Sequence, residues 1–227
     1  MSSRFCPNSV LDVEFVPRFV LLRLFILLRV SEMRKSIILS GVGGQGILTL
    51  GRILGETLLD KGFEVRVGEI HGLSQRGGSV IAFVRYGNKV YAPTVSPGEG
   101  DAMVSLELLE ALRRIEYLSP KGLLVVNDLI LPPPMSKNVP SRKEVLDSLS
   151  KTGLRYIVID GLGLAEKAGS PLSLNIVMLG ALLASGILDI SIDDVARTIE
   201  KTFSGKVAEI NLRALNSGYE AAKKMFQ

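Results

Sequence analysis

With 227 residues, 47% of them hydrophobic, the chain can bury one substantial core, and its length suggests one domain with small appendages. The formal charge of +4 is spread with mixed signs, and only 6% of residues are aromatic, with no Trp; nothing here advertises a nucleic-acid binder. Cys6 is the only cysteine, so an intramolecular disulfide and a Cys-ligated iron–sulfur cluster are both ruled out, and a reducing, cytoplasmic setting is expected.

Residues 1–32 read differently from the rest. The apolar stretch 19–28 (FVLLRLFILL) contains Arg23 and falls well short of the roughly 20 apolar residues a spanning helix needs. Arg29-Val30-Ser31-Glu32 makes a poor signal-peptide cleavage site. Met33 leads at once into a natural first strand. Residues 1–32 are therefore expected to be a start-site extension or a poorly ordered arm, 33–227 the folded domain, and no membrane is expected as a partner.

From residue 36 the pattern alternates. Residues 36–40 form a short apolar run closed by Gly41, as in a strand buried on both faces. Over 45–61, Ile47, Leu48, Ile53, Leu54, Leu58 and Leu59 recur at near-helical spacing, with Gly62 as the stop. Residues 63–67 alternate as a second strand. Residues 79–85 and 89–91 flank Gly87-Asn88, which predicts a hairpin and hence a mixed sheet. A strand over 101–106, a helix over 107–117 and a buried strand over 122–127 follow, then a stiff loop at Leu131-Pro132-Pro133-Pro134. Ser141 with Glu144 has the spacing of a capping box, and 155–160 is the expected last strand. Beyond it the chain is helical in character, at 173–185, 193–202 and 207–224. The fold class is α/β: three layers, α/β/α, with a mixed, mostly parallel sheet and a helical C-terminal section.

Two segments carry chemistry. Gly41-Val42-Gly43-Gly44-Gln45-Gly46 satisfies G-x-G-x-x-G between a strand and a helix, a pattern that frees N–H groups for a phosphate. Close packing of helix on sheet explains the glycines equally well. A dinucleotide site also wants an acidic residue at the end of the second strand. Glu64 comes too early, and Glu69 runs straight into the second segment, 69–80 (EIHGLSQRGGSV), which holds the lone His71 and frames Arg76 between Gln75 and Gly77-Gly78. Such a loop can form an anion nest with Arg76 as a bidentate fork, or it can hold a subunit interface. One His with no nearby Cys argues against a metal site, and no G-x-S-x-G elbow supports a hydrolase.

The runs GVGGQGILTLGRIL, VGEIHGLSQRGGSVIAFVRYG, DAMVSLELLEALR, GLLVVND and LNIVMLGALLASG together resemble the small subunit of indolepyruvate:ferredoxin oxidoreductase, across nearly all of 33–225. The broader group includes the gamma subunits of pyruvate, 2-oxoisovalerate and 2-oxoglutarate ferredoxin oxidoreductases. The resemblance implies oxidative decarboxylation of a 2-oxoacid to an acyl-CoA, with electrons passed to ferredoxin. It places thiamine diphosphate, Mg and 4Fe–4S clusters on a large partner subunit, leaving this chain non-catalytic, with coenzyme A expected at a shared site. Gly41, Gly43, Gly44, Gln45 and Gly46, with His71, Gln75, Arg76, Gly77 and Gly78, are then the candidates for contacting that partner or a phosphate-bearing ligand. The apolar run 173–186 is either a central core helix or part of an obligate interface, and self-association of the isolated chain stays open. The competing readings are a free-standing NAD(P)-dependent reductase using the glycine-rich turn, and a membrane-associated or structural protein resting on 19–28.

Overall fold

The computed structural model describes residues 33–72, 77–132, 136 and 138–226; the expected extension over 1–32, its apolar stretch included, lies outside them. Six strands, β1 (Arg34–Val42), β2 (Glu64–His71), β3 (Ser79–Gly87), β4 (Gly100–Ser105), β5 (Leu118–Asn127) and β6 (Arg155–Ile159), lie in the order β2-β3-β1-β4-β5-β6. β1, β4, β5 and β6 pair in parallel, while β3 is antiparallel to both β1 and β2. The sheet is mixed and mostly parallel.

Seven helices flank it among the described residues: α1 (Ile47–Asp60), α2 (Leu108–Arg114), α3 (Arg142–Ser150), α4 (Gly161–Ala168), α5 (Leu174–Leu183), α6 (Ile192–Thr202) and α7 (Gly205–Phe226). Strand alternation sorts them into layers. Ile37 and Leu39 face the core shared with α1, α4, α5, α6 and α7, whereas Ile38, Phe83 and Met103 face the one shared with α2 and α3. α1 forms because Ile47, Leu50, Ile53, Leu54 and Leu58 make one buried stripe, and it ends where Gly62 takes φ 87°. α3 starts on the expected capping box, Ser141 and Glu144 bonding reciprocally.

Every residue of α5 is buried, which decides between the two readings of its apolar run: it is a core helix. α7 crosses it at Gly180 and Gly218, where a Cβ would lie 2.1 Å from the Leu215 carbonyl oxygen and 1.9 Å from that of Val177. Only glycine lets the two backbones approach so closely.

Three expectations are corrected. Lys89–Tyr91 is not a strand, and Gly87-Asn88 is not a hairpin turn. Both sides of β3 are already taken by β1 and β2, and the chain after it leaves the sheet with the Val90 N–H donating to Glu64 at 3.0 Å. The mixed sheet arises instead from the reversal between β2 and β3. Next, α4 was not among the expected helices; Asp160, read as the end of the last strand, caps it by accepting from the Gly163 N–H at 2.9 Å. Finally, the helix expected over 107–117 is α2 plus a 3-10 turn, with Glu107 as its cap.

Candidate functional site

β1 sits where the strand order reverses, with α1 following it on one face and α2 following β4 on the other. Such a switch point opens a crevice outside the strands' carboxyl ends. The Gly41–Gly46 turn occupies it. Gln45 folds back so that its Oε1 accepts from the Val42 N–H at 2.7 Å while its Nε2 donates to the Leu106 carbonyl, beyond β4, at 3.1 Å. Gly41 is pressed against this side chain, a Cβ there lying 2.7 Å from Gln45 Oε1. Gly46, at φ 83°, faces Asn175, whose Nδ2 donates to the Gly46 carbonyl at 3.0 Å. The two outer glycines of the motif thus serve close packing.

The middle of the turn is different. The Gly43 N–H donates to the Gly78 carbonyl at 2.8 Å and the Gly77 N–H returns a bond to the Gly43 carbonyl at 3.3 Å, so the two expected segments meet through their main chains. Gly44 is exposed at φ 102°, with open space where a side chain would be. α1 begins with no side-chain cap, which leaves the first-turn N–H groups turned toward a cleft of about 450 Å³ lined by Val42, Gly43, Gly44, Thr49 and Val80. The arrangement can hold an anionic group by main-chain donors alone. Of the other candidates, His71 ends β2 opposite Val80, while Gln75 and Arg76 lie outside the described residues.

A dinucleotide reading lacks its geometry. The acidic partner should stand on the strand beside β1, yet β3 intervenes, so Glu69 on β2 is two strand spacings, roughly 10 Å, from β1. Glu64 is engaged with the Val90 N–H.

Sequence reading missed two residues. Asn127, wholly buried, donates from Nδ2 to the Leu106 carbonyl at 3.1 Å and accepts at Oδ1 from the Gly161 N–H at 2.9 Å. With Gln45 it ties the carboxyl ends of β1, β4 and β5 to the start of α4. Asn175 is the other. Each shows in the sequence as a lone carboxamide in an apolar run, GLLVVN and LNIVMLG. Nearby, buried Glu107 accepts from the N–H groups of Glu110 at 2.6 Å and Leu131 at 2.9 Å, and burial nonetheless pushes its carboxyl above the ordinary range. Glu110 pairs with Arg113 at 2.7 Å and accepts from Ser79, at the foot of the Gly77-Gly78 segment. Among the described residues no cluster of His, Cys, Asp or Glu could hold a metal ion, and no helix is long and apolar enough to cross a membrane.

The model of the pyruvate ferredoxin/flavodoxin oxidoreductase family matches residues 36–221. The chain is 39% identical over 195 residues to the indolepyruvate oxidoreductase subunit IorB of Thermococcus kodakarensis, covering 84% of this chain and 96% of that one. It is 33% identical over 184 residues to the common gamma subunit of the pyruvate/ketoisovalerate oxidoreductases of Pyrococcus furiosus, covering 79% and 92%. Among solved structures, the pyruvate oxidoreductase subunit PORC of Thermotoga maritima superposes with a TM-score of 0.63 at 28% identity, covering 84% of this chain and 97% of that one.

Proposed function

The chain belongs to the pyruvate ferredoxin/flavodoxin oxidoreductase family, and on that footing we propose that it is the small, non-catalytic subunit of a 2-oxoacid:ferredoxin oxidoreductase of the indolepyruvate type. In this reading a large, cytoplasmic partner subunit carries thiamine diphosphate, Mg and the 4Fe–4S clusters, and ferredoxin takes the electrons. Thiamine diphosphate supplies the carbanion-stabilising chemistry of decarboxylation there. A chain with one cysteine has no thiolate set for a cluster of its own.

What this chain contributes is a rim. Gly44 and the uncapped first turn of α1, held by Gln45 and joined through Gly43 to Gly77-Gly78, present main-chain donors beside an open cleft, and His71, Gln75 and Arg76 precede Gly77-Gly78 in the sequence. A phosphate-bearing ligand such as coenzyme A fits those donors, since Gly44 leaves the approach clear and α1 is uncapped. The observation that carries the reading is this main-chain junction of the two glycine segments, in a chain alike over most of its length to an indolepyruvate oxidoreductase subunit.

The test is co-purification on the tagged full chain, followed by assay with aryl pyruvates, pyruvate and coenzyme A. The chain alone is expected to turn nothing over, and the complex to prefer aryl pyruvates. Turnover by the lone chain overturns the reading. Arg76→Ala is expected to raise the KM for coenzyme A in the complex about 10-fold, the loss of a charge-assisted pair; unchanged kinetics and assembly would remove Arg76 from the site.

A further inference from the structure

On the far side of the glycine turn lies a second cavity, of about 560 Å³, which the reading above does not use. Leu129, Leu162, Phe203, Val207 and Ile210 form its apolar wall, and none of the residues lining it is charged. Most of its polar groups are engaged within the protein. Asn175 donates to the Gly46 carbonyl and accepts from the Ile176 N–H at 2.9 Å, and the Ser173 hydroxyl donates to the Ser170 carbonyl at 2.7 Å.

Two are not, the half-buried Thr49 hydroxyl and Asn211. Asn211, on α7, is only 7% exposed and lines the cavity, yet its carboxamide makes no hydrogen bond among the described residues. Its amide atoms open onto the cavity rather than onto a partner within the chain. At the mouth, Leu172 is 84% exposed and Val207 53%. A cavity with an apolar wall, an apolar lip and one waiting carboxamide has a definite complement.

We infer that this cavity binds an uncharged secondary amide carried on an apolar chain, the amide pairing with the donor and acceptor of Asn211 and the chain lying along Phe203, Val207 and Ile210. A carboxylate, phosphate or ammonium here meets no opposite charge and loses its hydration, so charged ligands are excluded. Gly44, Gln45, Gly46 and Thr49 also border this cavity, and its occupant therefore emerges beside the glycine rim. Two sources present such a group: a free small molecule, or the backbone of an apolar segment inserted by a partner chain. Only the second rests on the subunit reading.

The probe is N-butylbutanamide, titrated into the full chain with its side-chain amides labelled with ¹⁵N. A saturable millimolar shift of the Asn211 signal is expected, with none from butanoate or butylammonium. Asn211→Asp, which puts a charge in the cavity, and Asn211→Leu should each weaken binding at least 10-fold. Asn211→Leu should melt within about 2 °C of the unsubstituted chain, because no hydrogen bond within the chain is lost. In the co-purified complex, a blocked probe assigns the cavity to a partner segment, and retained binding assigns it to a free molecule. No saturable shift in the free chain, or probe binding that survives both substitutions, overturns the inference.

Discussion

At the carboxyl end of the parallel strands the chain is held together by neutral amides: Gln45 joins the glycine turn to Leu106, and Asn127 joins Leu106 to Gly161. At the amino end the same sheet is held by charges. Lys35 at the start of β1 lies 2.8 Å from Asp189, which also accepts from the Tyr86 hydroxyl at 2.9 Å; Asp101 accepts from the Ser36 N–H, and Arg85 faces Glu99. The Lys35 and Asp189 side chains keep 27% and 32% of their surface in water, whereas Asn127 keeps none. Ion pairs stand where solvent still reaches them; where the strands end in the interior, a carboxamide donates and accepts without the desolvation cost of a charge. Of the two carboxylates buried at that end, Glu110 is paired with Arg113 and Glu107 is pushed toward its neutral form. The consequence for function is that no described residue lining the cleft beside the turn is charged, so an arriving anion is met there by main-chain dipoles.

The sharpest way to break this contrast is Asn127→Ala. It leaves the Gly161 N–H unpaired in the interior and removes one of two bonds to Leu106, and it should cost about 3 kcal/mol in urea unfolding. Asn127→Asp should not restore it, for a carboxylate cannot donate to Leu106; if it does, the amide account is wrong.

Titration separates the ends next. Glu107 holds its proton to higher pH in the folded chain than in the unfolded one. Its contribution is therefore complete below the ordinary carboxylate pKa and is lost as pH rises through the raised folded value. Between the parent chain and Glu107→Gln, unfolding midpoints compared from pH 4 upward should show the parent falling relative to the variant as this contribution is lost. Tyr86, pushed up mainly by burial, gives the same sign of loss only on the alkaline side. A parent chain that gains on Glu107→Gln as pH rises would contradict the assignment.

The smallest effect belongs to Lys35→Met. A half-exposed pair is worth at most about 1 kcal/mol and less in high salt, so a loss well above that, or one indifferent to salt, would erase the difference between the two ends.

Much of this was legible in the residues. Buried parallel strands appear as unbroken apolar runs, and those at 36–40, 101–106, 122–127 and 155–160 lie in β1, β4, β5 and β6 because alternation is unnecessary when both faces are covered. The α3 cap and the α1 stripe are local and read as local. Gly87-Asn88 misled because turn chemistry between alternating runs is the same whether or not the second run finds a free edge to pair with, and here β1 and β2 had taken both. α4 hid because glycines and short length weaken its periodicity.

The sequence by itself determined the α/β class, the kinship and the two glycine segments, since these rest on neighbours a few residues apart. Only the tertiary structure decided what the segments do. It brought Gly43 to Gly78 and showed Gly41 and Gly46 to be packing positions. It also placed Asn127 and Asn175 against partners 34 and 129 residues away, and left Asn211 facing a cavity unpaired. A carboxamide in an apolar run advertises that it must have a partner; which one depends on where the strand order reverses, and no local pattern encodes that.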